Sequence, residues 1–239
     1  MRFTVNIVSL LKKASHADYI SVVAKHLIDK GHSVSIVYSH SDPIDALQEL
    51  NGIFFEQEIV PDFKGETRSV KEFGDHHLKQ CLHIVGLYNT ASKLVKDGGK
   101  MPNKTLILEE GIRFNDITMV DDLLASDSGF SCISGVYPSR AHKDTNHIRF
   151  LYYSQAWEHI PNELVPRCVF PVAWAGAAVS VWFTSSFKKT FPIGMTGINN
   201  PFCTDAIEVV MWENFAAKRF LEEGMKWAVN GRVWCSHDS

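Results

Sequence analysis

The sequence contains no C-x-x-C pair, no G-x-x-x-x-G-K-[ST] loop, no G-x-S-x-G turn and no H-E-x-x-H helix. These absences exclude a zinc ribbon, the backbone cradle of a P-loop, the nucleophile elbow of a serine hydrolase and the paired imidazoles of a zinc protease. Nothing glycine-rich follows the first apolar run, which counts against a dinucleotide-binding site. His76, His77, Cys81 and His83 fall into no metal-hydrolase pattern, so their helix reads as structural. The five cysteines, Cys81, Cys132, Cys168, Cys203 and Cys235, are odd in number and widely spaced. That spacing argues against a disulfide framework and suits a reducing compartment, so the expected location is the cytoplasm. An excess of either charge is also missing. A net charge of -3 and a pI near 6.4 give no electrostatic case for nucleic acid as a partner. No apolar run approaches the ~18 residues of a membrane span. The stretch 172–183 comes nearest, and its length and Ala/Gly content suit a buried core segment. The first residues read as a strand rather than as a signal peptide.

What is present is an ordinary globular composition, 45% hydrophobic and 21% charged over 239 residues. That length suffices for one sizeable α/β domain or two small ones. With no repeat, low-complexity stretch or linker, one domain over 1–239 is expected. A β-branched run at 3–10, helical spacing over 16–30 closed by Gly31, and a second run at 33–38 form a βαβ unit with parallel strands. A short helix at 44–50, an edge strand at 53–60 and a polar turn at 61–67 follow. The apolar spacing over 75–96 predicts a long helix, and 97–103 is a loop by its Gly, Pro and Asn content. Beyond 114, Asn115 or Asp116 caps a helix bearing Ile117, Val120, Leu123 and Leu124. Strands are expected at 130–134, at 147–157 (antiparallel) and at 227–234, with a helix at 209–223. Pro161, Pro166 and Pro171 predict irregular chain between them.

The stretch Leu106-Ile-Leu-Glu-Glu-Gly-Ile-Arg-Phe114 concentrates the chemistry. Its apolar triplet suits a strand covered on both faces, and acidic side chains at the carboxyl end of such a strand reach the crevice where open α/β sheets bind ligands. Two buried carboxylates repel each other and resist ionisation unless a cation, a donor or solvent compensates them. Glu109 and Glu110 either end a strand at the water or hold a ligand.

The motif order resembles the GT-A glycosyltransferases, in particular their compact viral and bacterial members. The resemblance rests on Leu106 to Phe114, then Asp121-Asp-Leu-Leu124, then Ile133-Ser-Gly-Val-Tyr-Pro-Ser-Arg140. Further along it rests on Trp174-Ala-Gly-Ala177, Trp212-Glu213-Asn214, Gly224 and His237. It implies a GT-A-like three-layer α/β/α sandwich with a mostly parallel central sheet. The nucleotide-binding half would occupy about 1–115 and the acceptor-binding half about 116–239. The implied activity moves a sugar from a nucleotide-diphosphate donor to a carbohydrate or other hydroxyl acceptor.

In that family an acidic-x-acidic motif binds Mn²⁺ or Mg²⁺, hard cations that share oxygen ligands with phosphates. Glu109 takes the first acidic position, Glu110 the variable one, and Gly111 stands where the second acid falls. A glutamate also carries one more methylene than aspartate, which moves its carboxylate outward by roughly an ångström. The resemblance makes Glu109 and His237 the metal ligands. It makes Glu213 the base that takes the acceptor proton, from which inversion follows. Asp205 and Glu208 are reserve candidates. Nucleotide-sugar contacts fall to Ser9, Tyr38, Ser39, Asp42, Asn89, Glu110 and Gly111, and acceptor contacts to Trp174, Ala175 and Gly176. Two other readings stay open: a GT-A-like domain without catalysis that binds or assembles, and a sugar nucleotidyltransferase. The second would need a Gly/Arg/Lys-rich loop after the first strand, of which Leu10-Leu-Lys-Lys-Ala14 is a poor version.

Overall fold

The computed structural model describes residues 1–58, 70–98, 101–126, 129–138, 145–149, 159–193 and 212–237, with backbone alone at 70–78, 145–149, 159–160, 212 and 214–215. The expected turn at 61–67, the strand residues 150–157, Arg140, Asp205 and Glu208 lie outside the described residues.

The chain opens with β1 (Thr4–Leu10), a single 3-10 turn (Ala14–His16), α1 (Ala17–Asp29), β2 (Ser33–His40), α2 (Asp45–Gln48) and β3 (Ile53–Glu56). Next come α3 (Val70–Leu94), β4 (Asn103–Leu108), β5 (Ile112–Phe114), α4 (Met119–Ala125) and β6 (Cys132–Val136). The second half continues with β7 (Thr145–Arg149), β8 (His159–Pro161), β9 (Val169–Val172), β10 (Trp174–Ala175) and β11 (Val179–Phe183). It ends with α5 (Thr184–Thr190), α6 (Trp212–Glu222) and β12 (Trp227–His237). Among the described residues, no helix is long and apolar enough to cross a membrane.

Nine strands form one sheet in the order β3-β2-β1-β4-β11-β6-β12-β5, with β9 also on β12; β10, β7 and β8 form a small second sheet. The expected α/β/α architecture is present, with a sheet that is mixed rather than purely parallel. Strands β3, β2, β1 and β4 are mutually parallel, as are β6 and β12, but β11 runs against both β4 and β6. Strands β9 and β5 are also antiparallel to β12, so the sheet is mixed.

Alternation along the strands sends side chains into two cores. Val5, Ile7, Leu106, Leu108 and Val181 pack under α1 and α4, against Ile20, Val23, Leu27, Val120 and Leu123. Val8, Ile107, Trp182 and Trp227 pack on the other face against Val85, Tyr88, Phe187, Ala216 and Phe220 from α3, α5 and α6. Helices on both faces complete three layers. The proline-rich stretch is more regular than expected. β9 lies on β12 at the margin of the sheet, and Pro171 is exposed there because such a strand has one unpaired side that needs no N–H. The antiparallel strand expected at 147–157 is described over Thr145–Arg149, between β10 and β8.

A buried asparagine fixes α3 against the sheet. Asn6, midway along β1, donates to the Lys96 carbonyl (3.0 Å) and accepts from the Lys96 N–H (3.0 Å) and from the Ser35 hydroxyl (2.7 Å). Asn6→Ala is expected to cost about 1–3 kcal/mol, because the part-buried N–H and carbonyl of Lys96 and the Ser35 hydroxyl lose one shared partner together. Urea unfolding of the variant measures that loss.

Candidate active site

The strand pairings gather the candidate residues along one edge. The carboxyl ends of β1, β2, β4, β6 and β12 all lie there, and because β11 is reversed, its amino end does too. Ser9 and Leu10, the loop 39–42, Glu109 to Gly111, Tyr137, the turn 174–178 and His237 therefore share the crevice edge at which α/β sheets bind ligands.

Glu109 follows β4 directly. Its N–H donates to the Ala178 carbonyl (2.8 Å), and its Oε1 accepts from the Tyr88 hydroxyl (2.7 Å). Burial and the neighbouring Glu109 hold the Tyr88 hydroxyl well above the usual tyrosine range, so it stays a donor. The next three residues make a tight turn closed by the Ile112 N–H on the Glu109 carbonyl (3.2 Å). Gly111 occupies its third position at φ +82°, the left-handed region that a type II turn reserves for glycine. Glu110 turns away toward β1. It accepts from the backbone N–H groups of Lys12 and Lys13 and lies 2.9 Å from His16 Nδ1. It locks the loop after β1 to the turn after β4.

Glu213 sits in the first turn of α6 and is 4% exposed. The backbone N–H groups of Glu213 itself and of Ala177 lie close enough to favour its carboxylate, while its Oε2 has no partner among the described residues. Burial first, and the charge of Glu109 second, raise its pKa from 4.5 to about 8. Tyr137 belongs to the same cluster: burial and then the Glu213 charge push its hydroxyl up, and it accepts the Ala178 N–H at 3.3 Å. Gly176 must lack a side chain, because a Cβ there would run into the Tyr137 hydroxyl.

The other candidates are placed as follows. His237 pairs with Ile112 across β12 and β5, which sets the end of the chain beside the acidic turn. Ser9 is buried and donates to the Leu108 carbonyl (2.7 Å). Tyr38 lies in the core, with its hydroxyl accepting from Ile44 N–H (3.0 Å) and Gln48 (2.7 Å). Ser39 is buried with a hydroxyl that has no partner among the described residues, and Asp42 is exposed on the loop beyond it. Asn89 clasps the backbone of Ile193 from both sides (3.1 and 2.8 Å). Trp174 and Ala175 are buried in β10. Sequence reasoning assigned no role to Tyr137, although it closes the Ser-Gly-x-Tyr motif, and gave Tyr88 no link to Glu109. The anchoring of Glu110 by Lys12, Lys13 and His16 had no signal, because backbone amides leave none.

No family model matches the chain, and no curated protein is similar to it in sequence. Solved structures do match. GalNAc-T7, determined with UDP, GalNAc and Mn²⁺, superposes with a TM-score of 0.53 at 9% identity, over 99% of this chain and 44% of that one. A mannosyltransferase from Pyrobaculum calidifontis, in complex with GDP-Man and Mn²⁺, gives 0.50 at 9% identity, over 98% of this chain and 56% of that one. A mycobacterial protein gives 0.50 at 9% identity, over 99% and 67%. This chain thus spans about half the length of the first two. The fold is that of the GT-A glycosyltransferases.

A divalent cation of the kind bound by those two enzymes can be tested against the residues present. Among the described residues no group of three or more His, Cys, Asp and Glu gathers as a closed metal site. A cation shared with a diphosphate needs only one or two protein carboxylates, however. Glu109, with Oε1 held by Tyr88, and the buried Glu213, with its orphaned Oε2, offer oxygen donors of the kind a hard cation takes. The donor set fits a site that a ligand completes.

The raised pKa of Glu213 has a thermodynamic signature. Between about pH 4.5 and 8 the folded state holds a proton that the unfolded state has released, so stability is highest below 4.5 and falls as pH rises through 8. The loss is at most on the order of 5 kcal/mol. Glu213→Gln removes the titration, and its thermal midpoint is expected to overtake that of the unaltered protein between pH 5 and 8.5. Parallel curves for the two proteins would mean that Glu213 is not held protonated.

Proposed function

We propose that this chain is a glycosyltransferase that moves a sugar from a nucleotide-diphosphate donor to a hydroxyl acceptor. What supports this reading is one observation: Glu109 and the buried Glu213 act on each other electrostatically at the crevice edge of a GT-A sheet, and Glu213 carries an oxygen with no partner among the described residues. Burying charge this way is costly unless a ligand compensates it.

The donor lies along the crevice, its nucleotide over the loops after β1 and β2, where Ser39 and Asp42 stand, and its diphosphate over the turn 109–111. A Mn²⁺ or Mg²⁺ held by Glu109, with His237 beside it, would neutralise charge on the diphosphate. Tyr88 fixes the Glu109 carboxylate, and the amides of Lys12 and Lys13 fix Glu110 and with it the loop that borders the nucleotide. The turn Trp174 to Gly176 borders the acceptor. Glu213 takes the proton from the acceptor hydroxyl as its oxygen bonds to the anomeric carbon. The bond from that carbon to the donor phosphate breaks, and the nucleoside diphosphate leaves from the opposite face, with inversion. Glu213 is ionised for this step only above its raised pKa, so kcat/KM is expected to rise with pH through a limb at about 8 in the free enzyme.

Thermal stabilisation by UDP-, GDP-, dTDP- and CMP-sugars, each with and without Mn²⁺, is the first test, since a ligand of the folded state raises the midpoint by mass action. A manganese-dependent shift with one nucleotide is expected. The absence of any shift would favour a GT-A-like binding module. Glu213→Gln is expected to abolish transfer while leaving donor affinity within about threefold, because a base is needed for chemistry and not for holding a diphosphate. Wild-type turnover in that variant would remove Glu213 from the mechanism.

A further inference from the structure

We propose that Tyr88 is the positioning residue of the donor site, holding the Glu109 carboxylate in the one orientation that can serve a cation and a diphosphate. This inference rests on the transferase reading above. The acidic turn offers a single carboxylate toward the donor, because Gly111 has no side chain and Glu110 is bound to the loop after β1. That single carboxylate is a glutamate, whose three side-chain torsions cost more to order than the two of an aspartate. A site built on one long carboxylate needs an external tether. Tyr88 supplies it: its hydroxyl donates to Glu109 Oε1 at 2.7 Å.

The tether is itself immobilised. Tyr88 is fully buried, with its ring against Phe191 at 5.4 Å between centroids. The adjacent Asn89 clasps Ile193, and Asn6 fixes the end of α3 through Lys96. A tyrosine needed only to fill this space would do so equally well as phenylalanine. The hydroxyl, aimed at the carboxylate that directly follows β4, is what a packing role leaves unexplained.

The test follows the thermal midpoint of the full chain with UDP and with GDP, each across a MnCl₂ titration. Tyr88→Phe is expected to need about tenfold more manganese than the unaltered protein for the same shift, the scale of one hydrogen bond to a charged group. Saturating manganese restores the full shift. A purely structural defect would not be repaired by added metal, and such a defect would overturn the proposal. Glu109→Asp is the second variant, which serves if Tyr88→Phe does not fold. It keeps the charge but draws the carboxylate back from the hydroxyl, and the same tenfold displacement is expected. The double variant should be no worse than either single one, because both remove the same contact. An unaltered manganese curve in either single variant would sink the positioning role and leave the transferase reading intact. A flat response of the unaltered protein to both nucleotides would take down both together.

Discussion

The antiparallel pairing of β11 with β4 is the constraint on which the rest of the site depends. Were β11 parallel, its carboxyl end and the start of α5 would lie beside Glu109. Reversed, it delivers the turn 174–178 there, and two bonds follow, Glu109 N–H to the Ala178 carbonyl and Ala178 N–H to the Tyr137 hydroxyl, with the Ala177 N–H set near the Glu213 carboxyl. The reversal is secured from both faces. Val179 and Val181 enter the core under α1 and α4, while Trp182 fills the other, ringed by Phe187, Phe191, Phe220 and Trp227. Hydrophobic burial on both sides of one short strand thus fixes the address of polar groups at its end.

The first half of the fold could be read from the sequence because its signals are local. The β1-α1-β2 unit, the apolar triplet of β4 and the spacing of α3 each reflect burial within a few residues. The second half resisted for the same reason. β11 is a short run inside a longer apolar stretch, and its direction is set by partners more than forty residues away, to which periodicity is blind. β9 carries a proline that argues against a strand until its exposed position beside β12 is known. Of the candidate site, the residue types were legible and their company was not. Glu109 and Glu213 stood out as acids at element ends. That they repel each other, and that Tyr88 donates to one of them, depends on α3 and α6 packing together on one face of the sheet.

Stability and chemistry pull in opposite directions at this edge. A buried carboxyl with an unsatisfied oxygen disfavours the folded state wherever it ionises, and a second carboxylate nearby sharpens the penalty. The fold tolerates Glu213 because two backbone N–H groups meet it and because its proton is retained at neutral pH. Apolar residues of the same volume would pack α6 onto α3 at lower cost. A carboxyl kept at this cost is what the base role proposed for Glu213 would need, since groups shifted in this way cluster at active sites.

The missing second acid at Gly111 follows from the same geometry. The turn 109–112 is tight, and its third residue sits at φ +82°, where an aspartate would be strained. Relaxing the turn to admit an acid would move Ile112, and Ile112 is the residue that pairs with His237. An acid at position 111 would therefore disturb the pairing that holds His237 beside the crevice. An imidazole carried on β12 beside the turn and the Tyr88 hydroxyl on Glu109 are the polar groups found where the acidic motif has no second carboxylate, so the departure at Gly111 follows from the shape of the turn.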